Sequence, residues 1–164
     1  MRRACVVLFV TALLGFGTAS RAAEDDVAVI VNRSNPVSGL TMAELRKILL
    51  GPRPKWTGGK EIAVLMTRPG QPERTETLKI VCGMSETDFN LHFARGVRRP
   101  DGSISGDSGY SPTVISSAVQ LRLSVASAPN AVGFIKASQV DDSVKVVSVD
   151  GSSPGQAAYK LRLK

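Results

Sequence analysis

The uninterrupted apolar run Val27-Ala28-Val29-Ile30-Val31 sets the terms for the whole chain. It does not alternate apolar with polar residues, so as a strand it offers no face to water. A strand of this kind needs cover on both sides, which points away from a one-sided sheet and towards an α/β architecture with helices on both faces. The order of signals after it agrees. A polar turn, a short helix, a loop marked by Trp56, a second strand over Ile62 to Met66 and another turn follow in sequence. Strand, helix and strand in that order predict a βαβ unit, and with it a mixed, mostly parallel central sheet of about 4–5 strands flanked by helices.

Local chemistry fixes several boundaries. Thr41-Met42-Ala43-Glu44 is a capping box, in which the Thr41 hydroxyl accepts the Glu44 N–H while the Glu44 carboxylate reaches back. Leu45, Ile48 and Leu49 then share one helical face, and Gly51-Pro52 stops the helix. Pro72 suits the start of the next helix, which runs to Gly83, and Ser85 to Asp88 resembles another capped start. Ser111-Pro112 puts a proline where a helix tolerates one, so a helix is expected from there to about Ser127. Strands are expected over Val132 to Lys136 and Val144 to Val149, with a terminal one over Ala158 to Leu163.

The first 22 residues read as a leader and not as part of the fold. Arg2 and Arg3 precede an apolar stretch from Ala4 to Phe16, and Ser20-Arg21-Ala22 offers small residues for cleavage. That stretch is too short to span a bilayer. Residues 23–164 then form one domain, periplasmic or secreted, with no stable membrane insertion after cleavage. Removing Arg2, Arg3 and Arg21 from the 21 basic residues leaves 18 against 14 acidic ones, a mildly basic balance that favours small anions. Cys82 has no partner cysteine in residues 23–164, and its apolar neighbours make it a buried small hydrophobe.

Taken in order, Val29-Ile30-Val31-Asn32, Leu40-Thr41, Leu45, Ile48, Gly51, Trp56, Ile62-Ala63-Val64, Arg68 and Pro129-Asn130-Ala131-Val132-Gly133-Phe134-Ile135 form a series. It resembles the second lobe of the substrate-binding proteins of phosphate ABC transporters, a type II periplasmic-binding-protein-like family, over about Val27 to Val149. The resemblance implies a ligand crevice beyond the strand ends, a small oxyanion such as phosphate as ligand, no cofactor and no enzyme activity. It also implies an ABC permease, or self-association, as the protein contact. The implied ligand-binding residues are Arg68, Gly70, Gln71, Arg74 and Thr75, with Ser34 and Asn35 facing the same crevice after the first strand. Where the family carries an Asp-Gly-Ser-Gly-Thr-like turn, this chain has Pro72-Glu73-Arg74. Pro72 removes an N–H donor, and Glu73 places a negative charge where an anion would sit. The alternative is therefore an accessory or protein-interaction domain that keeps the lobe without high-affinity ligand binding.

Other chemistries find little support. His92 is the only histidine, which leaves zinc without its usual ligand set. Gly106-Asp107-Ser108-Gly109 resembles a serine-protease nucleophile segment, but it sits in a Gly- and Ser-rich loop with a helical histidine just ahead of it. Arg95, Arg98 and Arg99 form a basic cluster without aromatic stacking platforms, so nucleic acid is not expected as a partner.

Overall fold

The computed structural model describes residues 26–94 and 111–163, together with the backbone of 97–98 and 104–105. The leader, the Arg95–Arg99 side-chain cluster and Gly106 to Gly109 lie outside the described residues. The strands are β1 (Val27–Asn32), β2 (Gly39–Leu40), β3 (Ala63–Thr67), β4 (Val97–Arg98), β5 (Ile104–Ser105), β6 (Thr113–Ile115), β7 (Ala131–Lys136) and β8 (Val144–Val149). The helices are α1 (Met42–Leu50), α2 (Pro72–Thr77), α3 (Glu86–Ala94) and α4 (Ala118–Ser127). A π-helical turn, Leu78–Cys82, continues α2 and ends at Gly83 in the left-handed region (φ 66°).

Six strands form one sheet in the order β2-β8-β1-β7-β3-β6, and β4 pairs with β5 separately. β2, β8, β7, β3 and β6 all run in one direction, and β1 alone opposes them, antiparallel to both β7 and β8. The sheet is thus mixed and mostly parallel, with helices on both faces. The expected βαβ unit is corrected in one respect. β7 lies between β1 and β3, and β1 runs against β3, so α1 does not make a parallel crossover between them. An apolar run covered on both faces looks the same in either direction, and only its late-arriving partners set its orientation.

β1 is buried along its whole length. Val27, Val29 and Val31 point into a core with Leu45 and Leu49 of α1, Leu78 of the π turn, Phe89 of α3 and Phe134 of β7. Ala28 and Ile30 point the other way, against Leu121 and Val125 of α4. α4 approaches so closely that a Cβ on Gly133 would lie 2.4 Å from Leu121 Cδ2. Glycine is required there by contact, not by backbone conformation.

Two further expectations change. Thr113–Ile115 is a strand, in parallel register with Leu65 to Thr67, and the helix begins only at Ala118. The short β-branched stretch pairs with β3, and Ser117, not Pro112, caps α4 by accepting the Gln120 N–H at 3.2 Å. Residues 158–163 run irregularly beside β1, tied by Val27 N–H to Leu161 O (2.7 Å) and by a single bridge between Asp26 and Arg162. Tyr159 and Leu161 are buried there, and the Tyr159 hydroxyl donates to Val27 O at 2.6 Å. No helix among the described residues is long and apolar enough to cross a membrane.

Candidate functional site

β6, β3 and β7 lie side by side and end together at Ile115, Thr67 and Lys136. Beyond these ends is a polar crevice of about 300 Å³, lined by Thr67, Gln71, Glu73, Ser116, Ser117, Ala118, Lys136 and Gln139. Crevices at the carboxyl ends of parallel strands are where open α/β sheets place ligands.

Each wall has a local cause. After β3, Arg68 to Gln71 make a tight turn, with Gly70 at φ +86° and Gln71 N–H donating to Arg68 O at 3.3 Å. Proline at the second position and a positive-φ glycine at the third are the demands of a type II turn. The turn leads into α2, whose first residue, Pro72, needs no N–H. Glu73 follows and is turned inward, only 3% exposed, and its Oε2 has no hydrogen-bond partner. The Thr67 hydroxyl, at the end of β3, is likewise buried and unpartnered.

The opposite wall comes from the start of α4. Ser117 caps the helix, and Ser116 donates to Gln120 Oε1 at 2.8 Å. The first N–H groups of α4, at Ala118 and Val119, have no acceptor within the helix and carry the positive end of its dipole. The side chain of Lys136, half-buried at the end of β7, makes no ion pair or hydrogen bond among the described residues. The crevice therefore holds a buried acid, a cation, a helix N-terminus and several hydroxyls.

The seven residues proposed from sequence divide three ways. Gln71 lines the crevice, and Arg68, Gly70 and Thr75 are exposed on or just after the turn that borders it. Arg74 is buried and committed elsewhere. Its Nε and Nη2 donate to the Glu86 carboxylate (2.9 and 2.6 Å), and Nη1 donates to Thr67 O at 2.9 Å. Ser34 and Asn35 follow β1, and because β1 opposes the other strands they lie at the far edge of the sheet. Asn35 donates to Pro129 O at 3.2 Å, and Asn32 beside it donates to Val125 O and Ala126 O at the end of α4. These are structural bonds.

Thr67, Ser116, Ser117, Ala118, Lys136 and Gln139 escape the sequence reading, which names Glu73 only as a charge opposed to an anion. The Ser116-Ser117 pair before an apolar helix is a capping signal, hidden by the expectation that the helix is already under way. Lys136 is the first polar residue after a buried strand, a position that marks a strand end.

The remaining sequence candidates take structural roles. Trp56 donates to Asn130 O at 3.1 Å and lines a separate groove of about 360 Å³ between α1 and the loop before β3. His92 Nε2 lies 3.2 Å from Leu50 O, while Asp88 bonds Ser85. Burial pushes the Cys82 thiol up to about 11, the behaviour of an inert buried cysteine. No cluster of three metal-ligating side chains occurs among the described residues.

Neither a protein-family model nor a curated protein matches this sequence. Solved structures do. A protein from Clostridium perfringens, described as a phosphate ABC-transporter substrate-binding protein and solved with bound phosphate, superposes with a TM-score of 0.61 at 25% identity, covering 79% of this chain and 47% of its own. An ABC-type phosphate transport receptor from Vibrio cholerae gives 0.59 at 24% identity, with 79% and 48% covered. PstS from Borrelia burgdorferi gives 0.56 at 13% identity, with 79% and 49% covered, and this likeness and that to the Vibrio cholerae receptor bear on the fold alone. The chain has the fold of one lobe of a phosphate-transporter substrate-binding protein. It spans about half the length of the solved structures it matches.

Proposed function

We propose that this chain acts as a solute-binding lobe outside the cytoplasmic membrane and takes a small oxyanion-bearing solute at the carboxyl edge of its sheet. The observation that carries this reading is the meeting of the Ser117-capped start of α4 with Lys136 in one crevice. Helix N-terminal N–H groups, serine hydroxyls and an unpaired ammonium are the donors an oxyanion needs. Gln71 adds a neutral donor, and Arg68 on the bordering turn adds positive potential. The sequence leader supports export, and the phosphate-binding neighbours support delivery of the solute to an ABC permease.

One open wall buries less of a ligand than a closed cleft, so affinity for inorganic phosphate is expected in the millimolar range. Calorimetry on the purified chain at low ionic strength tests this, with sulfate as the comparison anion. Saturable, salt-sensitive binding that disappears in Lys136→Ala supports the reading. Binding that ignores Lys136→Ala and the paired Ser116→Ala, Ser117→Ala change moves the site elsewhere, and no binding of phosphate, sulfate or an organic phosphonate overturns it.

A second reading, a protein-interaction domain, is favoured by the exposed apolar side chains Val119 and Leu123 on α4 and Val114 on β6. It is read by sedimentation of the chain with Leu123→Ser and Val119→Ser as controls. A monomer unchanged by either removes self-association from consideration.

A further inference from the structure

We infer that the crevice selects a small zwitterion, a solute carrying both an oxyanion and an ammonium group, over a bare inorganic anion. This rests on the reading that the carboxyl-edge crevice is the ligand site. The oxyanion pole is already described, and the second pole is Glu73 with Thr67. Glu73 is 3% exposed and Thr67 is 2% exposed, both line the crevice, and neither Glu73 Oε2 nor Thr67 Oγ1 has a partner. A buried carboxyl oxygen without a donor is unfavourable, and native proteins seldom leave one so unless something else fills the gap.

Lys136 does not fill it. The two groups share the crevice, yet no ion pair joins them. Arg74 does not fill it either, since its three nitrogens are taken by Glu86 and Thr67 O. The unpaired acid comes from α2, whose continuation packs on the Val27, Val29 and Val31 face of the sheet. The α4 start comes from the Ala28 and Ile30 face. The crevice thus has a negative wall and a positive wall that meet across the strand ends.

Sulfate brings only acceptors, and hydrogen phosphate brings a single P–OH donor, enough for Glu73 Oε2 or Thr67 Oγ1 but not for both. An ammonium brings three donors, enough for the Glu73 carboxylate and the Thr67 hydroxyl together. The volume, about 300 Å³, lies at the small end of ligand sites and suits a solute of few heavy atoms.

The test is calorimetry on the full chain with two matched pairs of probes: 2-aminoethylphosphonate against ethylphosphonate, and β-alanine against propionate. In at least one pair the amine-bearing member should bind about tenfold more tightly or better, the scale of one charged hydrogen bond. Glu73→Gln should erase that preference and keep ethylphosphonate binding. The wild-type ratio needs no variant, so it decides the matter even where Glu73→Gln fails to fold. Equal or tighter binding of the amine-free probes overturns the zwitterion and leaves the oxyanion site standing. No binding of any of the four overturns both.

Discussion

Two glutamates occupy the first turns of helices at the same edge of the sheet, and their surroundings are opposite. Glu44, in α1, closes a complete capping box. Its Oε2 accepts from Thr41 N–H at 2.7 Å, Thr41 Oγ1 accepts from Glu44 N–H, and Asp150 takes the Met42 N–H at 3.0 Å. Glu73, in α2, is buried with an oxygen left over. The far edge of the sheet resembles the Glu44 side. There Asn32, Asn35 and Lys145 spend their polar groups on backbone carbonyls. Of the five buried side-chain atoms without a hydrogen-bond partner among the described residues, Thr67 Oγ1 and Glu73 Oε2 lie together at the crevice, while those of Asp26, Glu76 and Arg122 belong to residues outside its lining.

The comparison can be broken at its most tightly bonded point. Arg74→Ala strands Glu86 and the Thr67 carbonyl, and is expected to cost about 3 kcal/mol in urea unfolding, as for a broken buried ion pair. A loss under about 1 kcal/mol would mean that this charge is not structural and belongs with the crevice after all. Asn32→Ala, at the far edge, removes two bonds to the end of α4 and is expected to cost about 2 kcal/mol.

Thr41→Ala tests the capped glutamate and is expected to cost about 1 kcal/mol. The same box predicts a pH dependence. The Thr41 backbone and side-chain hydrogen bonds hold the Glu44 carboxyl below its ordinary value, so its contribution is present above the unfolded carboxylate range and fades as pH falls through the lowered folded value. The stability difference between wild type and Thr41→Ala should therefore shrink on acidification below about pH 4. A difference that grows would reverse the assignment.

The smallest effects belong to the open side. Glu73→Gln and Thr67→Val are expected to leave stability within about 0.5 kcal/mol of wild type or to raise it, because no bond is lost. A destabilisation like that of Asn32→Ala would show that Glu73 and Thr67 belong to the bonded framework.

Much of this plan is legible in the residues alone. The two-faced burial of Val27 to Val31, the Thr41–Glu44 box with its Gly51 stop, and the proline start of α2 all rest on interactions within a few residues, which sequence displays directly. The direction of β1 does not, since its partners lie in the last quarter of the chain. Thr113 to Ile115 looks like the opening of a helix because Pro112 permits one. Pairing with β3, far away in sequence, decides otherwise and moves the helix start onto Ser117. Arg74 has the chemistry of an anion ligand until Glu86 is seen across from it. The crevice is assembled from three strand ends and two helix starts that no spacing rule connects, so of its lining residues only Gln71, as a ligand, and Glu73, as an obstacle to one, stand out in the sequence.

The lone opposing strand also shapes how the chain comes together in time. β1 is the first strand to be made, and its neighbours β7 and β8 are among the last. Until they exist it has nothing to pair with, and the sheet has no middle. Structure so dependent on distant contacts forms slowly and late. In chain order, then, the centre of the sheet is the last part that can be completed.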